Sequence, residues 1–474
     1  MPPERRIALR AKLIAVWQAL RASYWFIPSL MAAAAIVLSV AMVTVDDLLG
    51  DLWVFELDWM HVNEPEGARL LLSTIAGSMI GVAGVTFSIT IAAVAFASGQ
   101  FGPRILASFM RDRINQVTLG TFVATFLYCV LVLRTIDSSA GSAGVPHLAA
   151  LVGVGFAVAS IGVLIQFIHH IADSLNSASA MSAIGSDLRG AIETLYPERI
   201  GEAGDEAAPS ALDGRDAKPD GLPIAFARHA VPIPALGQGY VQALSAADLM
   251  ATAVARDVVI RVVRRPGDFA ADGRPIAYAW PPDRVDADAV RAVQGCFALG
   301  RRRTPHQDVR LLVDQLVDMA GRALSPGIND PQTAIGCLQW LGVGLSEMAR
   351  RRAPRAQRTD EAGTVRVVSY PLTFADFAEA TLGRLRPYFE RDRNAALAML
   401  GAVADVMLDA GRRDDRLVLV GHAERLVEGG RVHGLSAADI GWLEQRLTDI
   451  KALIEREPGP PRLADLADWM QGHG

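Results

Sequence analysis

The chain has 474 residues, 51% of them hydrophobic, and its mean hydropathy of +0.26 is high for a water-soluble protein. Its 46 Lys and Arg residues against 51 Asp and Glu residues give a net charge of −5, which excludes the basic footprint of a nucleic-acid-binding protein. The three cysteines, Cys129, Cys296 and Cys337, lack the spacing of metal ligands or of a redox pair, and we expect them to be small buried thiols.

Four long apolar stretches occupy the first third of the chain, and none contains Lys, Arg, Asp or Glu in its interior. About 20 such residues, rising ~1.5 Å each in a helix, cross the ~30 Å hydrocarbon core of a bilayer. The stretches therefore predict four membrane-spanning helices over residues 25–172, and the first stretch is too long for a cleaved signal peptide. They are Trp25–Val45, Leu70–Ala97, Val117–Leu133 and Leu148–Ile168.

The charges beside these spans predict their orientation. The leader, residues 1–24, is basic, and so is the loop after span two, with Arg104, Arg111 and Arg113. The loop between spans one and two holds seven acidic residues against Arg69 alone. Because Lys and Arg concentrate on the cytoplasmic side, we predict a bacterial inner-membrane protein with both termini in the cytoplasm. We interpret the acidic loop as a solvated periplasmic loop; the alternative is a pore mouth that concentrates cations.

Span two carries small residues at three- and four-residue intervals, which places them on one helix face. Such a face lets helices pack closely, and this packing seam is the simpler interpretation. The alternative is a pore-lining face, whose small polar side chains leave room for a permeant. Span three adds two threonines on one face of its own. The pore-lining candidates are Ser73, Gly77, Gly81, Gly84, Ser88, Thr121 and Thr125.

Adjacent histidines, His169 and His170, close the cytoplasmic end of span four. Neighbouring side chains on a helix point about 100° apart, so this pair does not match the spacing of two ligands to one metal. We interpret the two as interfacial residues at the membrane boundary, with a pH-sensing gate as the alternative.

The remaining chain predicts a mixed, mostly helical cytoplasmic region. Residues 173–222 predict a helical extension and a flexible linker. Residues 223–283 predict a small α+β or barrel-like module, in which Pro232 confines the first strand to a sheet edge and Ser245 caps a helix over Ala246–Ala255. Residues 284–457 predict a helical domain that begins with a helix over Asp286–Leu299, and residues 458–474 form a tail.

A corner motif, Ser325–Pro331, interrupts the helices at the sequence SPGINDP. Ser325 and Pro326 end one helix, and Asn329 lies in the turn. Asp330 caps the next helix with Pro331 at its first position, where a missing N–H costs nothing. In the preceding helix we expect Arg310 to pair with Asp314 at four-residue spacing. We disfavour a cation site among the nearby acidic residues, because their spacing does not fit a calcium loop.

This corner motif, with Arg322–Leu324 before it and Thr333-Ala334 after it, resembles the bacterial membrane proteins grouped as domain of unknown function 2254. Gly77–Leu106 and Phe167–Ala172 resemble the same family. The resemblance covers about Arg21 to Glu455. It implies four spans and a cytoplasmic C-terminal region, and it supplies no catalytic residues.

The common enzyme motifs for phosphate loops, dinucleotide folds, zinc sites and nucleophile elbows do not occur, so we predict no enzyme, cofactor or metal. The leading hypothesis is a homo-oligomeric ion channel or channel-like pore that is regulated by its cytoplasmic domain, with the lipid bilayer, further copies of the chain and an inorganic ion as partners. The alternative is a membrane-tethered sensor or scaffold that binds a cytoplasmic partner or ligand. A weaker alternative is a membrane-bound enzyme that uses the acidic residues near Asp308–Asp330.

Overall fold

The computed structural model describes residues 24–49, 65–101, 112–136, 145–174, 176–196, 222, 225–351 and 353–455. The basic leader, most of the acidic first loop, Arg104 and Arg111, and most of the predicted linker lie outside the described residues. The chain divides into two compact units, Met1–Ser179 and Ala180–Gly474.

Four helices form the described part of the N-terminal unit, and each is long and apolar enough to cross a membrane. They confirm the four predicted spans. Because lipid offers no hydrogen bonds, a helix that satisfies its own backbone is the form such apolar stretches take. The helices are α1 (Phe26–Leu49), α2 (Pro65–Phe101), α3 (Arg113–Thr135) and α4 (His147–Ser174).

Helix α3 is central in this unit and packs against α1, α2 and α4. Its Tyr128 is fully buried and donates a hydrogen bond of 2.9 Å to the Ala149 carbonyl of α4. Asp46, on α1, accepts hydrogen bonds of 2.9 and 2.8 Å from the amides of Leu148 and Ala149. A carboxylate from α1 therefore satisfies the first amides of α4, which the helix itself leaves without partners.

The C-terminal unit contains two sheets. Five strands pair in the order β1-β5-β3-β8-β7, and three pair in the order β4-β2-β6. β1 lies at a sheet edge, which confirms the position predicted from Pro232. The strands are β1 (Val231–Pro234), β2 (Gly239–Leu244), β3 (Val259–Val262), β4 (Phe269–Ala270), β5 (Pro275–Trp280), β6 (Phe297–Gly300), β7 (Gln357–Thr359) and β8 (Val365–Val368).

A hydrophobic core fills the space beside these strands, with Ile260, Leu249 and Val293 among its most buried members. The predicted helix over Asp286–Leu299 is wrong at its end. The helix stops at Gly295, and Phe297–Gly300 instead pairs with β2 in an antiparallel ladder. This pairing places Phe297 in the same core, so tertiary burial outweighs the local preference.

Helices make up the rest of this unit, and α13 packs against α10, α14 and α15. The helical segment from Phe374 to Phe389 contains a π-helical turn at Glu379–Gly383. The helices are α5 (Ser177–Leu195), α6 (Phe226–His229), α7 (Ala246–Ala255), α8 (Ala287–Gly295), α9 (Val309–Ala323), α10 (Pro331–Arg350), α11 (Phe374–Ala378), α12 (Arg384–Phe389), α13 (Arg393–Asp409), α14 (Arg413–Val432) and α15 (Ala437–Ala452).

A buried histidine, His422 on α14, makes this unit sensitive to acid. Burial and the neighbouring charge of Arg425 lower the pKa of His422 to about 4, although Glu379 acts in the opposite direction. An unfolded histidine takes up its proton near pH 6.5. Between these two pH values the unfolded chain binds more protons than the folded chain, so acidification favours unfolding.

We therefore expect the free energy of unfolding to fall by about 2 kcal/mol between about pH 7 and about pH 5 through His422 alone. His422→Gln should remove this part of the pH dependence. Urea denaturation at the two pH values, monitored by circular dichroism, measures the free energy of unfolding of the detergent-solubilised parent and of the variant. An equally steep pH dependence in the variant would contradict the assignment.

Candidate functional site

The small residues of span two lie on an uncovered side of α2. We call Ser73, Gly77, Gly81, Gly84 and Ser88 the free face of α2. All five are exposed, and a Cβ added at any of its three glycines would meet no other atom within 4 Å. The opposite side of α2 is buried in the helix bundle. Among the described residues, no other helix of the chain packs against the free face.

Hydroxyl groups on and beside the free face donate to their own helix. Ser88 Oγ donates to the Gly84 carbonyl at 2.9 Å, and Thr74 Oγ1 donates to the Leu70 carbonyl at 2.7 Å. Each hydroxyl proton is thereby used, while the oxygen keeps lone pairs that can accept a hydrogen bond or coordinate a cation. Ser88 and Thr74 thus offer acceptors rather than donors.

The two predicted threonines of span three do not join the free face. Thr121 is partly buried and donates to the Val117 carbonyl at 2.9 Å. Thr125 is buried, and its hydroxyl lies 3.1 Å from the Ser160 hydroxyl of α4. Thr125 therefore links two helices of the same chain.

His169 and His170 lie in different surroundings. His169 is exposed, with Nε2 3.5 Å from a carboxylate oxygen of Asp173. His170 Nε2 makes a close hydrogen-bonding contact with one carboxylate oxygen of Asp112, whose other oxygen accepts the Ile114 amide at 2.9 Å and caps α3. His170 thus connects the end of α4 to the start of α3. The described residues contain no group of His, Cys, Asp and Glu that could hold a metal ion.

The corner motif Ser325–Pro331 has the predicted cap. Asp330 accepts hydrogen bonds from the Thr333 amide at 3.1 Å and the Thr333 hydroxyl at 2.6 Å, and Pro331 occupies the first turn of α10. These bonds, the side-chain bond first, lower the pKa of Asp330. Asn329 adopts a left-handed φ of 49°, a conformation that Asn tolerates better than most residues. Ser325 closes the preceding turn by donating to the Arg322 carbonyl at 2.6 Å, whereas Pro326 is exposed.

Asp330→Ala should destabilise the chain by about 1 kcal/mol, because the first turn of α10 loses its cap. Asp330→Asn retains a capping oxygen and should recover most of the loss. Thermal denaturation of the three proteins measures the difference. Equal stability of the alanine variant and the parent would show that the cap contributes nothing.

A second candidate site is a cleft of about 190 Å³ in the C-terminal unit, which we call the arginine cleft. It lies where the turn after β3, the start of α9 and the segments around β7 and β8 meet. Three arginines reach it from these segments. Its polar lining includes Arg265, Gln307, Asp308, Arg310, Arg358 and Ser369.

The carboxylates at the arginine cleft are already neutralised. Asp308 is held by Arg303 through two hydrogen bonds of 2.6 and 3.0 Å, and Arg310 donates to Asp268 at 2.7 Å. Burial alone would raise the pKa of Asp268, but the bonds from Arg310 and from the Arg265 amide lower it. The predicted pairing of Arg310 with Asp314 is wrong, because Asp314 pairs with Arg303 and Arg384.

Similarity to known proteins identifies the family. The chain matches the family described as predicted membrane protein (DUF2254) over residues 21–405. The chain belongs to the DUF2254 family. It is 31% identical to Uncharacterized protein Rv1290c of Mycobacterium tuberculosis over 412 residues, which cover 84% of this chain and 75% of the relative. Uncharacterized protein Mb1321c of Mycobacterium bovis matches to the same extent. No solved structure matches.

The match to DUF2254 confirms the predicted resemblance. The family description and the four long apolar helices both indicate that this is a multi-pass membrane protein. The arginine cleft of this DUF2254 chain could not be predicted from local sequence. Arg265 and Arg358 are about a hundred residues apart, and only the sheet brings them together. The turn sequence Arg264–Gly267 was the one local signal available.

Proposed function

We propose that the chain is a homo-oligomeric, channel-like protein of the bacterial inner membrane. Both termini lie in the cytoplasm, and the free face of α2 lines a passage for an inorganic ion. The C-terminal unit regulates this passage, and the chain catalyses no reaction. The observation that carries the proposal is that the free face of α2 has no covering element in the described part of the chain.

An uncovered row of small residues is a natural contact between copies of the chain. Glycines let helix backbones approach closely in a membrane, where association depends on packing rather than on the hydrophobic effect. Helix α2 has 37 residues and is therefore about 55 Å long, longer than the ~30 Å core that it crosses. Several copies of α2 can thus meet around an axis over the full depth of the bilayer.

The chemistry of the free face supports a passage along that axis. From Leu70 to Phe101 the helix has no charged residue, so no fixed charge blocks or traps an ion. The hydroxyl oxygens of Ser88, on the face, and Thr74, beside it, act as acceptors, because their protons are bonded to the helix. Oxygen acceptors suit hard cations, and we therefore propose a cation as the permeant.

The orientation follows from charge. The basic leader and the basic loop after span two belong on the cytoplasmic side, and the acidic first loop belongs on the other. Reporter fusions to the two termini should both give the cytoplasmic signal. Opposite signals would contradict the topology and every role drawn from it.

Two measurements on the purified full chain test the channel itself. Electron microscopy of the detergent complex should show a symmetric oligomer with α2 around an axial opening. Proteoliposomes loaded with K⁺ should release it under an imposed voltage. Two results together would contradict the channel proposal and favour the membrane-tethered scaffold. They are an oligomer in which the α2 helices pack together without an axial opening, and no ion release across a range of voltage, pH and osmotic load.

A further inference from the structure

The arginine cleft carries positive charge that the protein does not neutralise. The guanidinium groups of Arg265 and Arg358 form no ion pair with a carboxylate among residues 24–455 where the structure describes them. Arg265 donates to the Tyr370 carbonyl at 3.2 Å, and Arg358 donates to the carbonyls of Arg355 and Gln357. Since carbonyls are neutral, both charges remain available to an anion.

The other charged side chains at the cleft, Asp308 and Arg310, already have partners within the protein. Asp308 has a side chain that is 1% exposed and lies against Arg303, and Arg310 is held by Asp268 and by the Pro266 carbonyl at 3.1 Å. Gly267, with a φ of 90°, leaves the space that the Asp308 carboxylate fills. Asp308 therefore does not cancel the charge of Arg265 and Arg358.

The start of α9 adds donors at the same place. Val309 and Arg310 line the cleft, and in the described part of the chain their backbone amides have no hydrogen-bond acceptor. Asp308 occupies the cap position, but its side chain bonds to Arg303 and does not cap the helix. The first amides of a 15-residue helix, together with its dipole, favour an anion.

These donors converge from three segments of the chain: Arg265 after β3, the first amides of α9, and the paired strands β7 and β8, which supply Arg358 within β7 and the Ser369 hydroxyl directly after β8. One guanidinium is enough for a planar carboxylate, whereas a tetrahedral phosphate has three terminal oxygens for donors from different directions. We propose that the arginine cleft binds the phosphate group of a small phosphomonoester, with Arg265 and Arg358 as its principal ligands.

The size of the cleft limits the ligand. A volume of about 190 Å³ accommodates a phosphate with a short organic group and is too small for a dinucleotide. Tyr196, which is buried, and the exposed ring of Tyr370 form the walls beside this group. The phosphate belongs either to a soluble metabolite or to a lipid headgroup, and binding experiments distinguish these sources.

Isothermal titration calorimetry of the full chain in detergent, in phosphate-free buffer, tests the proposal. The probes are inorganic phosphate, glycerol 3-phosphate, a short-chain phosphatidic acid, and succinate as a dianion without phosphorus. We expect saturable binding of a phosphate probe, weakened by at least about tenfold in Arg265→Gln and in Arg358→Gln. Stronger binding of glycerol 3-phosphate identifies a soluble ligand, and stronger binding of phosphatidic acid identifies a headgroup.

Arg264→Gln is the matched control, because Arg264 is the exposed neighbour of Arg265 and does not line the cleft. It should bind the phosphate probes as the parent does. Thermal denaturation without ligand should be alike in the four proteins, which separates loss of binding from loss of folding. No binding of any phosphate probe, equal binding of succinate, or equal affinity in the Arg265 and Arg358 variants would overturn the proposal.

Discussion

Gly185→Leu is expected to destabilise the C-terminal unit by about 3 kcal/mol or more, the upper end of the cost of overpacking a core. Gly185 is a buried residue of α5 that lies directly against the ring of Trp340 on α10. A Cβ at this position would lie 2.2 Å from Trp340 Cε3 and 2.4 Å from Cδ2, far inside van der Waals contact. The indole would have to leave its place between the two helices.

Gly190→Leu provides the control on the same helix. A Cβ at Gly190 meets nothing within 4 Å, and leucine favours a helix more than glycine does, so this variant should be at least as stable as the parent. Urea denaturation of the detergent-solubilised chains measures both effects. In Gly185→Ala combined with Trp340→Leu, the smaller leucine side chain should relieve the collision, so the double variant should lose less stability than the sum of the two single variants. Strict additivity would contradict the packing that we describe.

Leucine at Gly81 or Ser88 is expected to reduce ion release from proteoliposomes by more than about tenfold, the second large effect that we predict. Both positions lie on the free face of α2, and a branched apolar side chain there would narrow the passage and remove an oxygen acceptor at Ser88. Ion flux from K⁺-loaded vesicles at matched protein density measures the change.

Ile89→Leu controls for a change on α2 itself. Ile89 is 43% exposed and points about 100° away from Ser88, so leucine there should leave ion flux unchanged. Size-exclusion chromatography with light scattering reports the oligomer for each variant. Normal flux in Gly81→Leu and Ser88→Leu would exclude the free face as a pore lining, and altered assembly with normal flux would make it a packing contact alone.

Much of the fold could be predicted from local sequence. The four spans follow from apolar length alone, and Ser245 and Asp330 begin their helices as the capping rules require. Strand β6 could not be predicted in this way, because Phe297 continues an apparently helical pattern and takes a strand conformation only through pairing with β2. Local sequence patterns predict elements that depend on contacts within the same segment. They fail where pairing with a distant segment determines whether a residue lies in a helix or a strand.

The candidate sites, like the fold, could be predicted only where they depend on local sequence. The small residues of α2 could be placed on one face from their spacing, but their exposure could not, since spacing does not tell which side of a helix its neighbours cover. The Arg310–Asp314 pair failed because Asp268 and Arg303, from other segments, offered each residue a closer partner. The arginine cleft could not be predicted from local sequence for the same reason, because its donors belong to three separate segments.

The parallel pairing of β3 with β8 sets the order in which the C-terminal unit can be completed. Ile260 and Arg261 of β3 pair with Val367 and Val368, across more than a hundred residues. Until Val368 has left the ribosome, β3 presents a row of unpaired amides and carbonyls, an exposed edge on which nascent chains associate. A fragment that ends before Val365, the first residue of β8, retains that exposed edge. We expect such a fragment to precipitate, although the strands before β7 are all present.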